Sequence, residues 1–186
     1  MSTMIAALML LGVSPAALGA QEQAEKPGEV VLVSELSGFD IALDGDLGDW
    51  DEIPVVTTNT GPTPSVDPEN GNLRWQLAAH GNVLYFAATI ADTNIIAGEH
   101  GDQYWNEDSI ELYLDISNDP ALTTYSDGVG QITFSPIDLG KTEPAELTSI
   151  GIGADGFDVD GIVFSTETGW GVEAAVALPD LSLIHI

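Results

Sequence analysis

The segment from Tyr104 to Asp115 (YWNEDSIELYLD) sets an indole beside amide and carboxylate side chains and then runs into an alternating strand. Trp105 offers a flat face on which the C–H groups of a polar ring could pack, and Asn106, Glu107 and Asp108 could bond that ring's hydroxyls. Acidic side chains at this spacing are also the hard-oxygen donors that calcium takes. Downstream, Ile110, Leu112 and Leu114 fall on one face, and Ser109, Glu111, Tyr113 and Asp115 on the other, the two-residue period of a half-buried strand. This is equipment for binding more than for reaction.

Two further constellations carry chemistry. Ile41 to Glu52 (IALDGDLGDWDE) is spaced like a calcium loop, but the twelve-residue, helix-flanked pattern is not completed. Its structural reading makes Asp44-Gly45 a turn and Trp50 a plug at one end of the core. Arg74 is the one basic residue in the central part of the chain. It either pairs with a neighbouring carboxylate or offers its planar fork to sugar hydroxyls. Trp75 beside it could be exposed. For a cation, Asp92, Asp108 and Asp115 are expected to flank one pair of strand ends.

No catalytic set assembles. The chain has no cysteine and no Gly-x-Ser-x-Gly elbow, and His80 sits in a turn. A carboxylate pair could act as a glycosidase acid and nucleophile. Thirty acidic residues supply such pairs by chance, so none is singled out. Haem needs an axial His, Met or Lys, and Met1, Met4 and Met9 all lie in the apolar N-terminal stretch, so no haem is expected.

Charge narrows the partners. Thirty acidic residues face Lys26, Arg74 and Lys141, a formal net charge of −27. Binding a polyanion requires basic side chains to displace its counterions, which excludes nucleic acid. Contact of this domain with an anionic membrane is excluded likewise. Such acidity favours solubility, cation binding or saline surroundings. With no cysteine there are no disulfides, so stability must come from the core and from any bound metal.

Residues 1–20 read as a secretory signal, an apolar run followed by small residues, which implies a secreted or periplasmic protein. Residues 21–29 read as a linker, and 30–180 as one domain, incomplete at its C-terminus. Residues 181–186 (LSLIHI) match a translated sequencing-library adapter, so His185 carries no weight. Strands are expected at 30–33, 39–43, 73–79, 83–91, 109–116, 130–134, 147–153, 157–166 and 170–177, with 80–82 as a hairpin turn. Many short strands between Gly- and Pro-rich turns predict an all-β fold, an antiparallel β-sandwich of jelly-roll or immunoglobulin-like architecture.

Four motifs in order tie these pieces together. They are Leu43-Asp-Gly with Asp49-Trp50, then Leu84 to Asp92 (LYFAATIAD), Trp105 to Asp115, and Thr168 to Asp180 (TGWGVEAAVALPD). Over roughly residues 40–180 the chain resembles the family 9 carbohydrate-binding modules. The resemblance implies a non-catalytic β-sandwich with structural calcium that binds a glycan or glycan end, xylan among the candidates. It makes Trp105 the sugar platform, with Asn106 and Glu107 beside it. Trp170 matches a position where the family commonly has an aromatic, as packing or as a sugar contact. A surface or periplasmic ectodomain of a larger outer-membrane or enzyme assembly, without sugar binding of its own, would carry the same core motifs.

Overall fold

The alternation of apolar and polar residues decides which segments pair. The computed structural model describes residues 33–36, 40–58, 72–101, 103, 106–116, 129–152 and 157–178. The signal, the linker, Trp105 and the 181–186 segment lie outside these. Among the described residues the strands are β1 (Ser34–Glu35), β2 (Val56–Thr58), β3 (Asn72–His80), β4 (Val83–Ala91), β5 (Ile110–Asp115), β6 (Val129–Ser135), β7 (Ala145–Glu146), β8 (Thr148–Ile152), β9 (Asp158–Ser165) and β10 (Gly169–Ala177). A single 3-10 turn spans Leu47–Trp50.

The fold is all-β and two-layered, as the strand pattern predicts. One sheet has seven strands in the order β1-β3-β4-β10-β9-β7, with β2 also pairing β3; the other has three, β5-β6-β8. Pairing is antiparallel apart from the short β1–β3 contact, Ser34 to Ala78 and Glu35 to Ala79. The β3–β4 hairpin turns on Gly81-Asn82, with Gly81 at φ +60°, a conformation glycine adopts without penalty. Leu147 alone separates β7 from β8, so the chain changes sheets there.

Between the sheets lies the main core. Leu84, Phe86 and Ala88 from β4 and Trp170, Val172, Ala174 and Val176 from β10 meet Ile110, Leu112, Ile132 and Phe134 from β5 and β6. The rings of Phe86 and Phe134 stack across the interface with centroids 5.5 Å apart. Trp75 joins this core at 5 % exposure, since it shares the face of Leu73 and Leu77; the outward placement is corrected.

The other face of the seven-stranded sheet is covered too. Residues 40–53 cross it, placing Trp50 and Ile53 with Leu36, Ala78 and Ala87 in a second cluster. Residues 40–43, expected as part of a strand, join no ladder. Instead the Ala42 amide donates to Asp49 Oδ2 at 3.0 Å, which folds this strap back on itself. Strands β2 and β7 are too short, at 3 and 2 residues, for alternation to reveal them.

Two polar residues fix the strap. Gln76 Nε2 donates to the carbonyls of Trp50 and Ile53, at 2.7 and 2.8 Å. Glu173, fully buried on β10, accepts from the Trp50 indole at 2.7 Å and from the Gly45 and Asp44 amides at 2.6 and 3.2 Å. The expected roles of Asp44-Gly45 as a turn and Trp50 as a plug hold. Burial pushes the Glu173 carboxyl above its ordinary value, against the three N–H donors, which favour the charged form.

Substituting Trp50→Phe keeps most of the apolar volume but strips one donor from a buried carboxylate. The folded state then holds a proton on Glu173 still more tightly. The cost should be smallest at acid pH, where the carboxyl is protonated in both proteins, because its folded value is raised above the ordinary Glu value. It should grow as pH rises through the raised folded value, reaching about 2–3 kcal/mol at neutrality. Urea titrations of both proteins across that range check this, and a cost independent of pH would remove the indole–carboxylate bond from the account.

Candidate functional site

The loop between β4 and β5 is shaped by its acids. Asp92 Oδ1 accepts from the Asn94 amide at 2.8 Å, a local turn that Asp favours. Asp108 Oδ2 accepts from the Ile96 amide at 2.6 Å while the Asp108 amide donates back to Ile96 O at 2.9 Å. Glu107 bonds the Gly98 amide through Oε2 and the His100 amide through Oε1, both at 2.6 Å. These bonds hold its carboxyl below the usual Glu range, with the His100 ring 3.5 Å away as a lesser influence.

That arrangement redistributes the expected sugar contacts. Glu107, with a side chain 4 % exposed, closes its own loop and has no face left for a ligand, which corrects its reading as a hydroxyl partner. Asn106 is exposed, its amide group bonded to Gln103 Oε1 at 3.1 Å. Trp170 is 0 % exposed in the main core, so no indole face is open to a ring; it packs and does not contact sugar. Arg74 is exposed on the outer face of the seven-stranded sheet, beside Asp51, Val55 and Thr89 in a cleft of about 350 Å³. It forms no ion pair among the described residues, and it belongs to a different sheet from the strand that the Asn106 loop feeds.

The metal candidates divide. Asp92 and Asp108 come together, their carboxyls within hydrogen-bonding reach. Burial raises the Asp108 carboxyl above its ordinary value, and the Asp92 charge adds to this, outweighing the Ile96 amide. Asp115 does not join them: it ends β5 while Asp108 lies just before its start, about 23 Å away at a strand's rise per residue. Two adjoining carboxylates suit a hard cation, which takes six to eight oxygens. No group of three acidic or imidazole side chains gathers among the described residues. Asp92 and Asp108 thus stand as a pair, with no third such side chain gathered beside them among the described residues.

One feature escaped the motif reading. On β6, Ile132 and Phe134 point into the core, so Gln131, Thr133 and Ser135 lie on the opposite face, yet they are only 7, 1 and 6 % exposed. Register places Glu111 of β5 opposite Thr133, and Tyr113 opposite Gln131. Tyr113 donates its hydroxyl to Glu111 Oε2 at 2.8 Å. Thr133 Oγ1 is buried and has no hydrogen-bond partner among the described residues. This polar stripe covers the outer face of the three-stranded sheet. Gly98 of the β4–β5 loop packs on Ile137, just past the end of β6, so the loop sits at one end of the stripe. The signal was present in the sequence as alternation in GQITFS, but a Thr or Gln on a strand's second face ordinarily means solvent.

Comparison with known proteins accords with this architecture. No curated protein sequence matches the chain. Among solved structures, a carbohydrate binding module family 9 from Caldicellulosiruptor kristjanssonii, in complex with cellotriose, superimposes with a TM-score of 0.56 at 19 % identity, covering 79 % of this chain and 68 % of that one. At that identity the likeness establishes the fold. The family model for carbohydrate family 9 binding domain-like proteins matches residues 43–182, from the Asp44-Gly45 turn through β10. The chain therefore belongs to the family 9 carbohydrate-binding domains, a family of non-catalytic modules.

Proposed function

We propose that this domain holds a glycan chain or chain end against the outer face of the three-stranded sheet. The observation that carries the reading is the buried polar stripe, with an unpartnered hydroxyl at its centre, at Thr133. An unpaired buried hydroxyl costs stability, and Thr133, 1 % exposed, gains a ligand partner only where the ligand displaces the groups that cover it. Glu111 adds an acceptor next to it, and exposed Asn106 adds an amide at the loop. Trp105, adjacent to Asn106 in sequence, is the aromatic that would stack on the ring. Family membership and the cellotriose bound by the structural neighbour support the ligand class. Glycan binding of this kind, together with the apolar N-terminal stretch, supports a secreted or periplasmic location.

Calcium has a structural part in the same reading. Bound between Asp92 and Asp108 it would supply the positive charge that two adjoining carboxylates lack. The residues' own work is to pin Asn94 and Ile96 and so hold the loop that carries Asn106 at the sheet's end.

Calorimetry against cello- and xylo-oligosaccharides tests the site. Thr133→Val removes the orphan hydroxyl without changing shape. It should leave stability equal or raise it by about 1 kcal/mol, while weakening binding roughly two- to ten-fold, the worth of one hydrogen bond. Trp105→Ala should weaken it by more. Binding to no glycan removes the function, and binding indifferent to both substitutions removes the site. For the metal, millimolar calcium should raise the thermal midpoint by several degrees and chelation should reverse this. Asp108→Asn should abolish the shift, and a midpoint unmoved by calcium or chelator excludes the ion.

A further inference from the structure

We propose that the polar stripe selects uncharged glycans and rejects those bearing uronate or sulfate groups, and that like-charge repulsion sets this selectivity. The inference rests on the carbohydrate reading above and goes on to name the ligand's charge class. Glu111 lies within the stripe, directly opposite Thr133, and Asp115 lies on the same face two pairs further along β5. At the loop end stand Glu107 and Asp108, with Asp92 beside Asp108; calcium between the last two would offset their charge, so the repulsion rests on Glu111, Asp115 and Glu107.

No described Lys or Arg side chain offsets them; the His100 ring lies 3.5 Å from Glu107. Arg74 sits on the outer face of the other sheet, and Lys141 is bonded to Asp138. Lys26, the third basic residue of the chain, lies outside the described residues. Behind the local charges stands a net charge of −27, whose field reaches any ligand approaching from solvent.

The chemistry is asymmetric. A neutral sugar hydroxyl can donate to the half-buried Glu111 carboxylate, so the acids of the site help it. A ligand carboxylate or sulfate has no proton to donate and meets the same acids as repulsion. A single anionic group within about 8 Å of several such charges is disfavoured by roughly ten-fold or more when salt is low. Screening should erase most of that penalty, because the Debye length falls from about 30 Å at 0.01 M to about 3 Å at 1 M. Hydroxyl recognition carries no such dependence.

The test uses a matched pair: a linear xylo-oligosaccharide, and the same oligosaccharide carrying one glucuronic acid, titrated calorimetrically into the full chain at 0.01 M and 1 M ionic strength, with chelator and with calcium. The neutral ligand should change less than about two-fold in affinity across the salt range. The uronate should bind about ten-fold or more weakly at low salt, and the gap should close at high salt. Glu111→Gln should weaken both ligands but narrow the low-salt gap. A neutral and an anionic ligand bound equally at low salt would overturn the selectivity while leaving carbohydrate binding in place, as would calcium-dependent binding of the uronate as tight as that of the neutral ligand. Failure of both ligands at every salt concentration would instead take down the carbohydrate reading itself.

Discussion

The covering of the seven-stranded sheet depends on one buried carboxylate. A sheet has two faces, and here the inner one meets the three-stranded sheet while the outer one would face water with Ala78, Ala87 and Phe164 on it. Residues 40–53 prevent that, yet they contain no strand ladder of their own to hold them. Glu173 supplies the attachment, gathering the Trp50 indole and the Asp44 and Gly45 amides around its two oxygens. Gln76 secures the far end through the Trp50 and Ile53 carbonyls. Ionised Glu is suited to this because it accepts at both oxygens and offers no proton to clash with three donors.

That attachment has a consequence for where a ligand can sit. The strap buries the middle of the outer face, Ala78, Ala87 and Glu173 among it, while Arg74, Asp158 and Asp160 stay exposed toward its margins. The three-stranded sheet has an outer face of different character: Glu111, Tyr113, Gln131 and Thr133 where the first sheet has alanines and phenylalanine. One sheet thus serves as scaffold, and the loop that leaves it after Asp92 delivers its polar tip to the end of the other. This division leaves the first sheet densely packed at its centre while the outer face of the other stays polar.

Most of the scaffold was legible in the sequence, because period-two alternation and glycine-led turns are local signals. Leu84, Phe86, Ala88 and Ile90 read as one core-facing row and are so placed, and the Gly81-Asn82 hairpin falls at its expected position. What alternation could not convey was the second face. Ala87 and Glu173 occupy positions that a half-buried strand would give to solvent, and only the strap that covers them makes them interior. The site was less legible for the same reason. A motif shows that Glu107 and Asp108 are near an indole in sequence. Whether a carboxylate points to a ligand or to its own backbone depends on the turn it caps, and Glu107 caps Gly98 and His100. Asp115 was grouped with Asp108 by sharing a strand, although the two ends of a strand are far apart.

The contrast between the two buried polar environments bears on function. Glu173, the group costliest to bury, is given three donors, so the fold satisfies its most demanding interior charge. Thr133, a hydroxyl that any nearby carbonyl could satisfy, is given none. Exchanging it for valine would remove the penalty at no cost in shape, so folding alone gives no reason for the hydroxyl. Trp170 Nε1 is likewise unpaired, but it lies in the apolar core, where the bulk of the indole fills space that a smaller ring would leave empty. No such packing argument covers Thr133, which pairs across the ladder with Glu111 and Ile150. Thr133 thus keeps, beside the Glu111 acceptor, a hydroxyl that no described partner satisfies, as Thr166 does elsewhere in the chain.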